Sequence, residues 1–312
     1  MRRLVKYFVL SLFAITLMSC GRSGGDGGNL TGEIRIDGSS TVYPITEAIA
    51  EEYRFEQSKV RITIGISGTG GGFQKFSRGE IDINNASRPI KDAEAEAAGS
   101  NNTEFVALKV AYDGLAVLVH RENTWVDHFT VEELKKMWEP SAQGTVLRWS
   151  QIRPEWPDEE FHLYGPGIAS GTYDYFTEVI VGESGASRGD YTASEDDNVL
   201  VQGISGDRNG IGFFGYAYYA ENQDKVRLVG VNGGQGVVLP SPETVKSGTY
   251  APLSRPVFIY VNKTAAQRPE VADFVNFYID NATEIVPDVG YIPLSAEEYQ
   301  IEKEKFSAFI SQ

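Results

Sequence analysis

Cysteine is nearly absent: the chain of 312 residues has one, with three His, three Met and four Trp. One cysteine cannot close an internal disulfide, and with so few histidines it leaves little material for a zinc site. Positive charge is scarce too, 28 Lys plus Arg against 43 Asp plus Glu, a net charge of -15. Sequence-independent binding of nucleic acid needs a Lys or Arg for each phosphate contact, so this balance argues against a nucleic-acid partner. Walker A, H-E-x-x-H, C-x-x-C and nucleophile-elbow patterns are missing, and His120, His128 and His162 are scattered. No cofactor and no enzymatic activity are therefore expected. What is present is ordinary for a folded protein, 41% hydrophobic with 23% charged, in a length that suits one large domain or two of common size.

A marked apolar run lies at the N-terminus. Arg2, Arg3 and Lys6 precede Tyr7 to Met18, too short and wrongly flanked for a membrane span, so residues 1–19 read as a signal peptide. Leu17, Met18, Ser19 and Cys20 close it and resemble a bacterial lipobox, with Cys20 as the lipidated first residue of the mature chain. The Gly-rich stretch from Cys20 to Leu30 reads as a flexible tether. Losing Arg2, Arg3 and Lys6 leaves 25 basic against 43 acidic residues, or -18. A covalent lipid rather than a basic patch would then hold the protein at a membrane.

Three strand-turn-helix units repeat one idea. In the first, Ile34 and Ile36 alternate with polar residues, and Gly38 to Thr41 turn into a helix near Pro44, a good first-turn residue. In the second, Val60, Ile62, Ile64 and Ile66 alternate before Ser67-Gly-Thr-Gly-Gly-Gly72, after which Phe73 and Phe76 begin a helix. In the third, Phe161 to Tyr164 pass through a turn to Ser170, Gly171 and Thr172, and Tyr175, Phe176, Val179 and Ile180 keep one helical face apolar. Each turn puts free N–H groups and hydroxyls at the positive end of a helix dipole, where a small oxyanion is attracted. The strand Ile81 to Asn85 would deliver Ser87 and Arg88 to the same sheet edge, and the planar fork of Arg88 suits a tetrahedral oxyanion.

Gly38-Ser-Ser-Thr-Val-Tyr-Pro44, Ser67-Gly-Thr-Gly-Gly-Gly72, Asp82 to Arg88 and Ser170-Gly-Thr172 occur in the order found in the PstS-like phosphate-binding proteins of bacterial ABC importers, which the chain resembles over most of residues 31–312. The resemblance implies an α/β fold of the type II periplasmic-binding-protein kind, two lobes joined by crossing hinge strands and closing on inorganic phosphate. It implies ABC permease subunits as partners, an extracytoplasmic lipid-anchored location and a monomer. Its ligand-holding turns carry over to Ser40, Thr41 and the Val42 amide, to Ser67 or Thr69, and to Ser170, Gly171 and Thr172. Two departures stand out. Family members carry an Asp where this chain has Arg88, and an Arg four residues before the Ser-Gly-Thr serine, where it has Pro166. The site would keep one Arg but move it to the other lobe, and Asp113 is the candidate for the displaced carboxylate, against a turn-forming role before Gly114. Such a carboxylate would accept the proton of monohydrogen phosphate and repel sulfate. A receptor for sulfate, molybdate or tungstate, or a phosphate-ester hydrolase on the same scaffold, is the alternative.

Phe105 to Val110 and Leu115 to Val119 flank the expected crossing, and Arg255 to Val261 reads as the returning strand. Lobe one would comprise residues 31–112 with 254–312, and lobe two residues 113–253. Gly210-Ile-Gly212-Phe-Phe-Gly215 matches a dinucleotide fingerprint letter for letter, but its turn is filled by aromatics and it reads as a buried strand. Thr130 with Glu133 spells a helix capping box.

Overall fold

The computed structural model describes residues 30–168, 170–194 and 196–312. The expected signal segment, Cys20 and the tether as far as residue 29 lie outside the described residues. The strands are β1 (Gly32–Gly38), β2 (Val60–Ile64), β3 (Ile83–Ala86), β4 (Phe105–His120), β5 (His128–Thr130), β6 (His162–Gly165), β7 (Thr192–Ala193), β8 (Gly210–Gly215), β9 (Val226–Asn232), β10 (Val237–Val238) and β11 (Ser254–Asn262). They run β2-β1-β3-β11-β4-β8-β6-β7, with β9 also on β4 and carrying β5 and β10.

Period-two patterning makes β1: Ile34 and Ile36 are buried while Glu33 and Arg35 face solvent. β2 and β3 pair with β1 in parallel, so each connection must cross a face of the sheet, and helices Tyr43–Glu56 and Gly68–Ser77 do so. Ile45, Ile49 and Tyr53 bury the stripe of the first helix, and Tyr53 meets Phe274 edge to face at 5.2 Å. Each such side chain contributes about 1.5–3 kcal/mol by leaving water. The second helix starts earlier than the aromatic pattern predicts. Gly68 to Gly72 form its first turns because small residues let it lie flush on the sheet, where a Cβ on Gly72 would run into Asn84 and Gly38.

The two apolar runs expected around a crossing are one strand of 16 residues. Phe105 to Gly114 of β4 pair with β11 in the first lobe's sheet. Leu115 to Val119 then pair with β8, and Val117 to His120 with β9, in the second. β4 and β11 are thus the antiparallel strands through which the lobes are joined. Asp113 lies inside β4, with the buried run continuing on both sides of it, and makes no turn. The Gly210 to Gly215 segment is the buried strand β8, and Thr130 and Glu133 cap the helix Val131–Trp138 reciprocally. Among the described residues no helix is long and apolar enough to cross a membrane.

Candidate functional site

The first turn leaves β1 through Gly38. Its φ of +133° and the Asn84 side chain, 2.5 Å from where a Cβ would stand, admit only glycine. Ser39 folds inward, its hydroxyl accepting the Thr41 N–H at 3.2 Å. Val42 is fully buried beneath the start of the helix. Asp37 ties this turn to the next: its carboxylate accepts the Gly38 N–H at 2.7 Å, the Ser67 N–H at 3.0 Å and the Ser67 hydroxyl at 2.6 Å, and pairs with Lys75 at 2.5 Å. Burial pushes that carboxyl up, but the bonds from Lys75, Ser67 and Gly38 outweigh it and hold it below the usual carboxylate range.

Past Ser67, the Thr69 hydroxyl lies 3.0 Å from that of Ser87 and accepts the Ser87 N–H at 3.1 Å. β3 delivers Ser87 and Arg88 here as the sequence predicts. The Arg88 guanidinium is engaged end-on by Glu94, two bonds of 2.8 Å, and sits over the Phe73 ring at 5.7 Å. Its Glu94 partner raises its pKa further. Burial raises Glu94, yet Arg88 and the Lys91 N–H bring it below its ordinary value. Arg88 is held charged and in one plane.

From the other lobe, Ser170 caps helix Gly171–Phe176 by accepting the Thr172 N–H at 3.2 Å. This turn docks directly on the first one. The Thr41 hydroxyl donates to the Gly171 carbonyl at 3.2 Å, and the Ser40 hydroxyl to Asp174 at 2.8 Å. A Cβ on Gly171 would overlap the Thr41 backbone and stand 2.7 Å from the Ser40 carbonyl carbon.

Contact between the turns divides the space between the lobes. A hollow of about 240 Å³ gathers Ser40, Thr41, Thr69, Ser87 and Arg88 from lobe one, with Asp174, Tyr175 and Glu178 from lobe two. A neighbouring hollow of about 410 Å³ shares Ser40 and is lined by Asp113, Ser170, Gly171 and Thr172. Of the residues read from the sequence, Ser40, Thr41, Thr69 and Arg88 come together. Ser170, Gly171 and Thr172 lie against them on the far side of the Thr41 contact, Ser67 is spent on Asp37, and the Val42 side chain is buried in the core next to Thr41.

Lys91 and Ser184 line the smaller hollow without having been singled out in the sequence, and so do three further residues. Asp174 and Glu178 follow Thr172 at helical spacing, a legible signal that both share one face. The third is Arg255, the second residue of β11, which stands opposite Asp113 in the β4 register. Its Nε lies 3.4 Å from Asp113 Oδ2, and Asp113 and Arg255 keep only 5% and 13% of their side chains exposed. Burial raises the Asp113 carboxyl, and the neighbouring Arg255 offsets only part of that. Among the described residues no group of three or more His, Cys, Asp or Glu is placed to hold a metal ion.

The profile of the PBP superfamily domain matches residues 25–282. Protein SphX of Synechocystis is 50% identical over 275 residues, 88% of this chain and 82% of its own. The phosphate-binding protein PstS of Staphylococcus saprophyticus is 36% identical over 304 residues, 96% of this chain and 92% of its own. The crystal structure of a possible phosphate binding protein from Planctomyces limnophilus superposes with a TM-score of 0.87 at 43% identity, covering 90% of this chain and 99% of that one. A two-lobed α/β fold with oxyanion-type turns meeting at the hinge, and likeness over nearly the whole length, place this chain in the PBP superfamily, among the PstS-like phosphate-binding proteins.

Proposed function

We propose that the protein captures inorganic phosphate outside the cytoplasmic membrane and hands it to the permease of an ABC phosphate importer, without chemistry on the ligand. The observation that carries this reading is the hollow beside Arg88, where the hydroxyl-bearing turns of Ser40, Thr41, Thr69 and Ser87 face Asp174, Tyr175 and Glu178 from across the cleft, with Gly171 docked on Thr41 at its edge. Local donors set the binding, so an acidic protein can enclose an anion. Each donor left unmatched in a dehydrated cleft costs about 1–3 kcal/mol, which makes fit to a tetrahedral ion selective. Asp174 and Glu178 line the same hollow as Arg88 and supply the acceptor for the proton of monohydrogen phosphate. Asp113, facing Arg255, acts from the adjoining side.

The lobes are read as residues 31–112 with 254–312 and residues 113–253, opening to release the ion. Anchoring through a lipidated Cys20 and a monomeric state complete the proposal. Isothermal titration of the purified protein tests it: phosphate binding with sulfate excluded is the expected result, and no heat at millimolar phosphate rejects the reading. Turnover of a phosphate ester, with or without divalent metals, would show that a hydrolase and not a receptor uses these turns.

A further inference from the structure

Arg255 contacts both joining strands and a residue on each side of the cleft. It stands on β11, one of the two joining strands, and faces Asp113 on the other. Its Nη2 donates to the Thr41 hydroxyl of lobe one at 2.9 Å. Its plane lies over the Tyr175 ring of lobe two with the guanidinium carbon 3.4 Å from the ring centre, and Nη1 stops 3.8 Å from Glu178 Oε2, outside hydrogen-bond range.

A guanidinium carries five N–H donors. Asp113 and Thr41 take one each, and among the described residues the others make no hydrogen bond. The head group is nonetheless immobilised, by the carboxylate at one edge and the aromatic face below it. It lines the same hollow as Arg88. A pre-oriented cation with spare donors, aimed into a cleft that already holds one guanidinium, has the properties of a ligand-binding group rather than of a structural ion pair alone.

We infer that Arg255 is a second anion-binding guanidinium, mounted on the hinge, and that through it occupancy and lobe closure become one event. The inference rests on the phosphate reading of the cleft and deepens it. Arg88 comes from lobe one and is tied to Glu94 of that lobe. Arg255 touches Thr41 and Tyr175, from opposite lobes, at the same time, so the setting of its donors is completed when both lie against it. An anion bonded to both guanidiniums therefore binds the closed form better than the open one, and this difference in affinity is what shifts the population toward closure.

The test compares the wild-type protein with Arg255→Lys, which keeps the charge beside Asp113 and removes the fork. Phosphate, sulfate and molybdate are titrated calorimetrically, and the radius of gyration is measured by small-angle scattering with and without the ion that binds. The expected result is a tenfold or greater loss of affinity in Arg255→Lys together with a smaller ligand-induced compaction. Should the variant fail to fold, the pair Asp113→Asn with Arg255→Met, which leaves no lone buried charge, takes its place with the same expectation. A folded variant that binds within threefold of wild type and compacts equally overturns the role of Arg255 alone. Wild-type silence toward phosphate overturns the receptor reading, with Arg255 then judged on whichever other anion binds; silence toward all three overturns both.

Discussion

The Gly171 carbonyl accepts the Thr41 hydroxyl at 3.2 Å across the boundary between the lobes, and no side chain fits between them. Gly171→Ala puts a methyl group into the Thr41 backbone and must push the two turns apart. Overpacking of this kind costs about 1–3 kcal/mol. The larger expected effect is functional, a fall of at least tenfold in phosphate affinity by calorimetry. An alanine variant that binds as wild type would show that the turns need not meet.

Arg88 presents a different case, because it is paired and half-stacked rather than a loose surface cation. Arg88→Ala is expected to weaken phosphate more than tenfold while lowering stability by about 1 kcal/mol, the scale of a partly exposed ion pair. Arg88→Lys should recover the stability better than the affinity, since a point charge cannot offer two parallel bonds. Equal affinity in both variants and in wild type would remove Arg88 from the site.

Ser67 and Thr69 sit two residues apart and separate cleanly by role. The Ser67 hydroxyl is committed to Asp37, so Ser67→Ala should lower the melting temperature by a few degrees and leave phosphate affinity within threefold. Thr69 faces the hollow with Ser87, so Thr69→Val should do the reverse. The two melting curves and two titrations decide this, and an exchange of the patterns would refute the assignment.

Acid stability follows from the same carboxylates. Asp37 and Glu94 are held below their ordinary pKa in the folded protein. The unfolded chain releases those bonds, so it binds protons at higher pH than the native state does. The stability they contribute is therefore fully present above the usual carboxylate range and is lost as pH falls through their native pKa. Melting temperature against pH should be level near neutrality and decline in acid. Asp37→Asn should lower the plateau and flatten the acid limb. A limb as steep as that of wild type would mean that Asp37 contributes nothing to it.

Much of this was readable in the sequence because the signals were local. Alternation in Glu33 to Asp37 and Val60 to Ile64, glycines at the bends and capping hydroxyls each specify their element within a few residues. That is why β1, β2 and the helix after Pro44 appear where expected. The Gly68 to Gly72 run misleads because glycine opposes helix by intrinsic preference, whereas close packing on the sheet demands it at Gly72. Asp113, named as the candidate carboxylate with a turn before Gly114 as the alternative, stands inside a strand, and the turn is what the structure removes. What was not legible is the company each side chain keeps. Arg255 meets Asp113 across 142 residues of sequence, and no periodicity encodes a register at that range. Likewise, which of two neighbouring hydroxyls turns to a ligand depends on Asp37, thirty residues upstream of Ser67.

Gly114 and Ser254 are direct partners in the register of β4 and β11. Everything between them enters and leaves through a doorway one strand spacing wide, about 5 Å. The chain from Leu115 to Leu253 thus departs from and rejoins the first sheet at adjacent points, and a tight hairpin spliced from Gly114 to Ser254 would keep every pairing among β1, β2, β3 and β11.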